Sequence, residues 1–297
     1  MTELYRSTLF VNVGDNPFRD RPGREWLLNP YRVHQRIMWA IDGAIPSKEA
    51  RKQSRRNEGA ALPLFRIFAE RAQAQDGGLA RPRIVVQTTV APKWNTAFAT
   101  DAHHAPFLVD VAATDVQLFT PELQEGEIRA FQVLANPSSR ISAPPPPGGY
   151  KAFRASARAR GDLTSTLPRG KRRSIRDDAA ILRWLAGKLR DSGFESVPLE
   201  STGRSYNAPA YESATKEGFY VRETHVIRAW KRKGERSRPA LTKQAKAHTS
   251  QIMTVHAALF EGIVRVTDPE MAMDTIRRGI GPAKGLGCGL LFLGKPL

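Results

Sequence analysis

The chain has 297 residues, 41% of them hydrophobic, enough for one large domain or two moderate ones around a real core. Lysine and arginine total 46 against 29 acids, a formal net charge of +17 and a pI near 10.5, so nucleic acid and anionic membranes lead the partner classes. A single cysteine, Cys288, excludes an internal disulfide and a cysteine-based zinc site; no stretch approaches the roughly 18 apolar residues of a membrane span, and no signal-peptide pattern opens the chain, so the expected compartment is the cytoplasm.

In chain order, Leu4 to Val13 is β-rich and reads as an opening strand. Asn29-Pro30 starts a helix near Tyr31, with Val33, Ile37, Trp39 and Ala40 on its apolar face. Ser47 to Arg56 is a basic loop that holds Arg51, Lys52, Arg55 and Arg56. Leu64 to Phe68 and Arg83 to Val90 read as strands, Thr96 to Phe119 is ambiguous, and Glu127 to Leu134 alternates as a strand. Arg140 to Pro168 contains Pro144-Pro145-Pro146-Pro147-Gly148-Gly149 and reads as a poorly ordered excursion. The densest basic cluster follows: Lys171, Arg172, Arg173 and Arg176.

Asp177 to Ser192 is an amphipathic helix, with Ile181, Leu182, Leu185 and Leu189 as its apolar stripe and Gly193 as its stop. Gly218 to Lys231 alternates as a long strand, and Gln251 to Val266 as another, broken at Phe260-Glu261-Gly262. Asp268-Pro269 opens a short helix through Arg278, with proline at the first helical position. The second half thus runs strand, helix, strand, strand, helix, strand, and the first half begins the same way. The expected fold is α+β: two tandem ferredoxin-like (RRM-like) βαββαβ domains, 1–124 and 125–297.

Before the terminal strand, Gly279, Gly281, Gly285, Gly287 and Gly289 surround Lys284. Glycines let a backbone come close to a phosphate. A dinucleotide fingerprint fails here, because Lys284 stands where its third glycine belongs and too little chain follows. A phosphate-binding Walker loop fails because Gly285, not serine or threonine, follows Lys284. What survives is a loop suited to a polyanion backbone, with Lys284 and Arg278 beside it. Arg277 and Arg278 also suit the C-terminal end of a helix without any ligand. A Gly-rich loop also simply lets helix and strand pack closely.

His34 is a candidate for proton transfer, since imidazole titrates at about 6.5, although periodicity alone favours a helix-surface or half-buried histidine with no role. Tyr31 lies three residues earlier on the same helical face. Arg32 and Arg36 flank the pair and face either RNA or solvent. His103, His104, His225, His248 and His256 lack metal-ligand spacing, and no paired-acid or hydrolase motif appears. No sustained helix joins a cationic face to a strongly apolar one, which disfavours a membrane surface.

Several motifs occur together and in order. They are Asn29-Pro30-Tyr31-Arg32-Val33-His34, Leu134-Ala135-Asn136-Pro137, Gly170-Lys171-Arg172, Phe260-Glu261-Gly262 with Val266-Thr267-Asp268-Pro269, and Arg278-Gly279-Ile280-Gly281 through Lys284 to Gly287-Cys288-Gly289-Leu290-Leu291. With this set the chain resembles the CasE family, the repeat-RNA endoribonucleases of type I-E CRISPR systems. The chain is longer than typical members, and its Pro-rich excursion looks inserted.

The resemblance implies metal-independent cleavage of a hairpin repeat in precursor CRISPR RNA, without a cofactor. His34 would be catalytic and Tyr31 its partner at the scissile phosphate. The 2′-hydroxyl attacks, leaving a 2′,3′-cyclic phosphate and a 5′-hydroxyl. RNA contacts are implied for Lys284, Gly279, Gly281, Gly285, Gly287, Arg278, Lys171, Arg172 and Arg173, and the Arg51, Lys52, Arg55, Arg56 cluster suits the phosphates of a stem. The product guide RNA stays bound, and other Cascade subunits are partners. The competing reading is a non-catalytic RNA-binding subunit, which would keep the basic clusters without needing the Tyr31/His34 pair.

Overall fold

The structure, a computed structural model, describes residues 3–14, 22–42, 63–68, 82–98, 107–110, 114–140, 172–198, 216–232 and 250–296. In the first half β1 (Tyr5–Phe10) is followed by α1 (Pro22–Leu28), α2 (Pro30–Asp42), β2 (Leu64–Phe68), β3 (Arg83–Thr88), a single helical turn α3 (Trp94–Ala97) and the short β4 (Val116–Leu118). The strands form one antiparallel sheet in the order β2-β3-β1-β4. Val33, Ile37 and Ala40 recur at helical spacing and bury one face of α2 against Leu9, Phe65, Ile84 and Val86 of that sheet.

In the second half β5 (Ile128–Ala135) leads to a two-stranded ribbon, β6 (Ser138–Arg140) with β7 (Arg172–Ser174), and then to α4 (Asp178–Arg190), β8 (Phe194–Ser196), β9 (Phe219–Arg232), β10 (Ser250–Val266), α5 (Pro269–Arg278) and β11 (Leu291–Pro296). The sheet order is β11-β5-β10-β8, with β9 also pairing β10, all antiparallel. Alternate residues of β5 and β10 (Phe131, Val133, Ala135; Phe260, Val264, Val266) meet Ile181, Leu185 and Leu189 of α4 and Ala272 and Ile276 of α5. Asp177 caps α4 by accepting from the Ala180 amide at 2.7 Å, and Asp268 caps α5 by accepting from the Met271 amide at 2.9 Å. The chain is therefore a mixed α/β protein built on antiparallel sheets.

Three expectations change. β10 is one continuous strand of 17 residues; Phe260 to Gly262 does not break it but carries a register shift against β9 between Leu259 and Phe260. Gly262 belongs there because a Cβ would stand 2.4 Å from the Gly218 carbonyl oxygen. Arg140 is not part of a loose excursion: it ends β6 and pairs with Arg172, and of that excursion residues 141–168 lie outside the described residues. The ambiguous stretch holds the one-turn α3 and the three-residue β4, both too short to show a period.

The halves are tied at several points. Leu64 and Val85 of the first pack with Leu290 of the second. Gln87 Nε2 donates to the Ile276 carbonyl at 2.7 Å, fully buried. These ties bring the residues before β11 against α2.

Candidate active site and nucleic-acid interface

His34 and Tyr31 lie in the first turns of α2, both half-buried. The His34 ring stacks on Phe65 of β2, with centroids 6.3 Å apart and planes 16° from parallel. The ring also meets the Gly-rich loop. A Cβ at Gly285 would stand 3.3 Å from His34 Cδ2 and 3.4 Å from Nε2, so the loop lies directly against the imidazole. Gly287, at φ +86°, closes over Phe65 in the same way, with a hypothetical Cβ 3.3 Å from Cε2. The histidine thus touches both one half's sheet and the other half's loop.

Lys284 opens a 3-10 turn, Lys284–Leu286, that follows Ala283 in the left-handed region at φ 64°. Such a conformation is uncommon for a non-glycine residue. Burial, and then the nearby Arg278 charge, push the Lys284 ammonium below its ordinary value, while Asp274 partly offsets them. An ammonium held among other cations gains from a phosphate partner.

Arg278 is exposed at the end of α5 and pairs with Asp274 at 3.0 Å, as does Arg277 at 3.1 Å. Arg172, Lys188, Trp184, Arg278, Lys284 and Gly285 line one open groove, to which Gly279 and Gly281 contribute backbone. Lys188, in the last turn of α4, was not foreseen; its signal is only that of a basic residue at a helix end, where the dipole favours it anyway.

The expected site residues therefore divide. His34, Lys284, Gly279, Gly281, Gly285, Gly287, Arg172 and Arg278 come together around the loop, and Tyr31 sits one turn before His34 on α2. Arg173 is exposed on β7 but does not line the groove. Lys171, Arg51, Lys52, Arg55 and Arg56 lie outside the described residues, as do His103, His104 and His248. Arg36 is half-buried and packs against its own half. Its guanidinium donates to the Ala97 carbonyl at 2.8 Å and stacks over Trp39 and Phe107, each 4.8 Å away, and burial lowers its pKa. The missed partner of His34 is Phe65, visible in the sequence only as one residue of a short strand. His225 pairs with Glu223 and His256 with Arg176, each at 3.2 Å. Among the described residues no three His, Cys, Asp or Glu cluster as metal ligands would, and no helix is long and apolar enough to cross a membrane.

The model of the family described as CRISPR associated protein matches residues 5–295. The chain is 27% identical over 271 residues to the CRISPR-associated endoribonuclease Cse3 of Thermus thermophilus, covering 91% of this chain and 92% of that one. It is 44% identical over 39 residues to the CRISPR system Cascade subunit CasE of Escherichia coli, covering 13% and 20%. Among solved structures it resembles Thermus thermophilus Cse3 bound to an RNA representing a pre-cleavage complex, with a TM-score of 0.57, 23% identity and coverage of 98% and 99%. The fold is shared along nearly the whole length of both chains.

Proposed function

The chain belongs to the CRISPR associated protein family, and from that membership and the contacts of His34 with Phe65 and the Gly-rich loop we propose that it is a metal-independent endoribonuclease that cleaves hairpin CRISPR repeat RNA and keeps the product within Cascade. We read the two sheets, β2-β3-β1-β4 and β11-β5-β10 with β8 and β9, as two ferredoxin-like domains at 1–124 and 125–297, a reading that their strand order supports.

The observation that carries the reading is the placement of an imidazole against a Gly-rich, lysine-bearing loop contributed by the other half of the chain. In the reaction the 2′-oxygen attacks phosphorus, its proton passes to a base, the bond to the 5′-oxygen breaks, and that oxygen takes a proton. His34 is the group within the site that trades protons near neutral pH. Tyr31 orients the 2′-hydroxyl or donates to the phosphate. Lys284, Arg278 and the loop amides face the charge that develops on the phosphate oxygens, where fixed cations act most strongly. The groove around Arg172 and Lys188 continues this surface and holds substrate and product alike, which slows product release.

The test is incubation with a hairpin repeat RNA in EDTA, beside His34→Ala and a 2′-deoxy substitution at the scissile nucleotide. We expect cleavage by the wild type, loss of at least roughly 100-fold in His34→Ala, no cleavage of the deoxy RNA, and binding retained in both. Strict dependence on a divalent metal overturns the mechanism. Tight binding without cleavage of any of several hairpins leaves an RNA-holding subunit instead.

A further inference from the structure

Asn29 is 1% exposed, yet its side chain does not bond within its own helix. Helix α2 begins on its backbone, whose carbonyl accepts from the Arg32 and Val33 amides at 2.9 and 3.3 Å. Its carboxamide reaches across to the second half. Nδ2 donates to the Trp230 carbonyl at 3.0 Å, and Oδ1 accepts from the Trp230 amide at 3.3 Å. The side chain thus takes the place of a peptide group in a neighbouring strand and satisfies both backbone groups of one β9 residue.

The part of β9 it grips is distinctive. β10 pairs with β5 only from Ala258 onward, so residues 250–257 pair solely with β9 among the described strands. This forms a two-stranded ribbon that leaves the sheet. Isolated ribbons are marginally stable and need an external tie. The face bearing Arg228, Trp230 and Ile252 is exposed. Residues 225–232 and 250–257, which form the ribbon, include Arg228, Lys231 and Arg232 and no acid. A ribbon of basic sequence and a helix that carries Tyr31 and His34 therefore share one buried side chain.

We propose that Asn29 is a positioning residue that couples engagement of RNA by the β9–β10 ribbon to the placement of α2, and through it of His34. The proposal rests on the endoribonuclease reading. Asn29 touches no substrate; it acts through the helix it starts. A displacement of about 1 Å at a reacting group is enough to slow a reaction roughly 100-fold, so a lost tether shows in rate before it shows in binding.

The experiment compares wild type, Asn29→Ala and Asn29→Asp, the last keeping an acceptor for the Trp230 amide while losing the donor. Three quantities are read: single-turnover cleavage at saturating protein, the Kd for a 2′-deoxy hairpin, and hydrogen exchange with and without that hairpin. We expect both variants to melt cooperatively, to bind within about two-fold of wild type, and to cleave roughly 10- to 100-fold more slowly. In wild type the hairpin should slow exchange in both the ribbon and α2; in the variants only the ribbon should respond. Wild-type cleavage rates in both variants, or equal protection of α2 in all three proteins, overturn the coupling. So does a loss of rate that only tracks the folded fraction. If wild type never cleaves but the exchange pattern is as described, the coupling stands and the catalytic reading falls.

Discussion

At His34 the packing against the loop leaves less than the room of one methyl group. Gly285 is needed there for room, because a Cβ would come within 3.4 Å of Nε2 and the ring would have to give by a few tenths of an ångström. The stack on Phe65 leaves the ring little freedom to yield. Gly285→Ala should therefore fold and bind RNA with nearly unchanged Kd, while its single-turnover cleavage falls on the order of 10-fold. Full activity in that variant would mean that the loop does not set the ring position. Gly289, by contrast, would meet backbone, with a Cβ 2.9 Å from the Ile280 carbonyl oxygen at φ +94°, so its substitution strains the chain itself. Cys288 beside it has no comparable role: burial pushes its thiol up to about 12, which keeps it protonated and unreactive at neutral pH.

Strand β10 carries a second polar constellation, away from the groove. Glu261 accepts from the Tyr220 hydroxyl at 2.6 Å, from Arg222 at 2.8 Å and from the Gln132 amide. Gln132 in turn accepts from Arg66 of β2, so the network joins three strands of one half to an edge strand of the other. Burial alone would raise the Glu261 carboxyl; the donors from Tyr220, Arg222 and Gln132 outweigh it, and the net shift is downward. A carboxyl depressed in the folded state stabilises the fold above its unfolded value of about 4.3, and that stability disappears as pH falls through the lower folded value. The melting temperature of wild type should thus drop more steeply below about pH 4.5 than that of Glu261→Gln. Parallel curves would remove Glu261 from the acid response. The sequence showed Phe260-Glu261-Gly262 as a motif but read it as a break, because glycine in a strand signals a bulge when its neighbours are unseen. Elements with long periods were legible for the opposite reason: α2, α4, α5, β5 and β9 each repeat a buried position often enough to declare their face. The ribbon β6–β7 and strands β4 and β8, of three residues each, carry no period and appear only through their partners. The proposed Tyr31/His34 pair was legible through its motif, whereas Phe65, Lys188 and the Asn29 tether depend on contacts between residues more than 30 positions apart.

Across the molecule, the net charge of +17 favours a polyanion as partner but does not say where it would bind. The structure separates cations that can meet phosphates from those that cannot. Arg172, Lys188, Arg278 and Lys284 open onto one groove, while Arg36 is enclosed by Trp39, Phe98 and Phe107. Each phosphate neutralised by a groove cation should steepen the fall of log K with log salt by about 0.7 to 0.9. Replacing Arg278 and Lys284 together by alanine should therefore reduce the slope for hairpin binding by about 1.5, read from affinities over a salt titration. Arg36→Met is the control, and it should leave the slope unchanged while it lowers the melting temperature, because it removes a part-buried hydrogen bond and its aromatic contacts. An unchanged slope in the double variant would show that the groove does not carry the RNA backbone. The contrast also explains why composition alone could not locate the interface: a buried arginine and a phosphate-binding one contribute equally to net charge, and only packing distinguishes them.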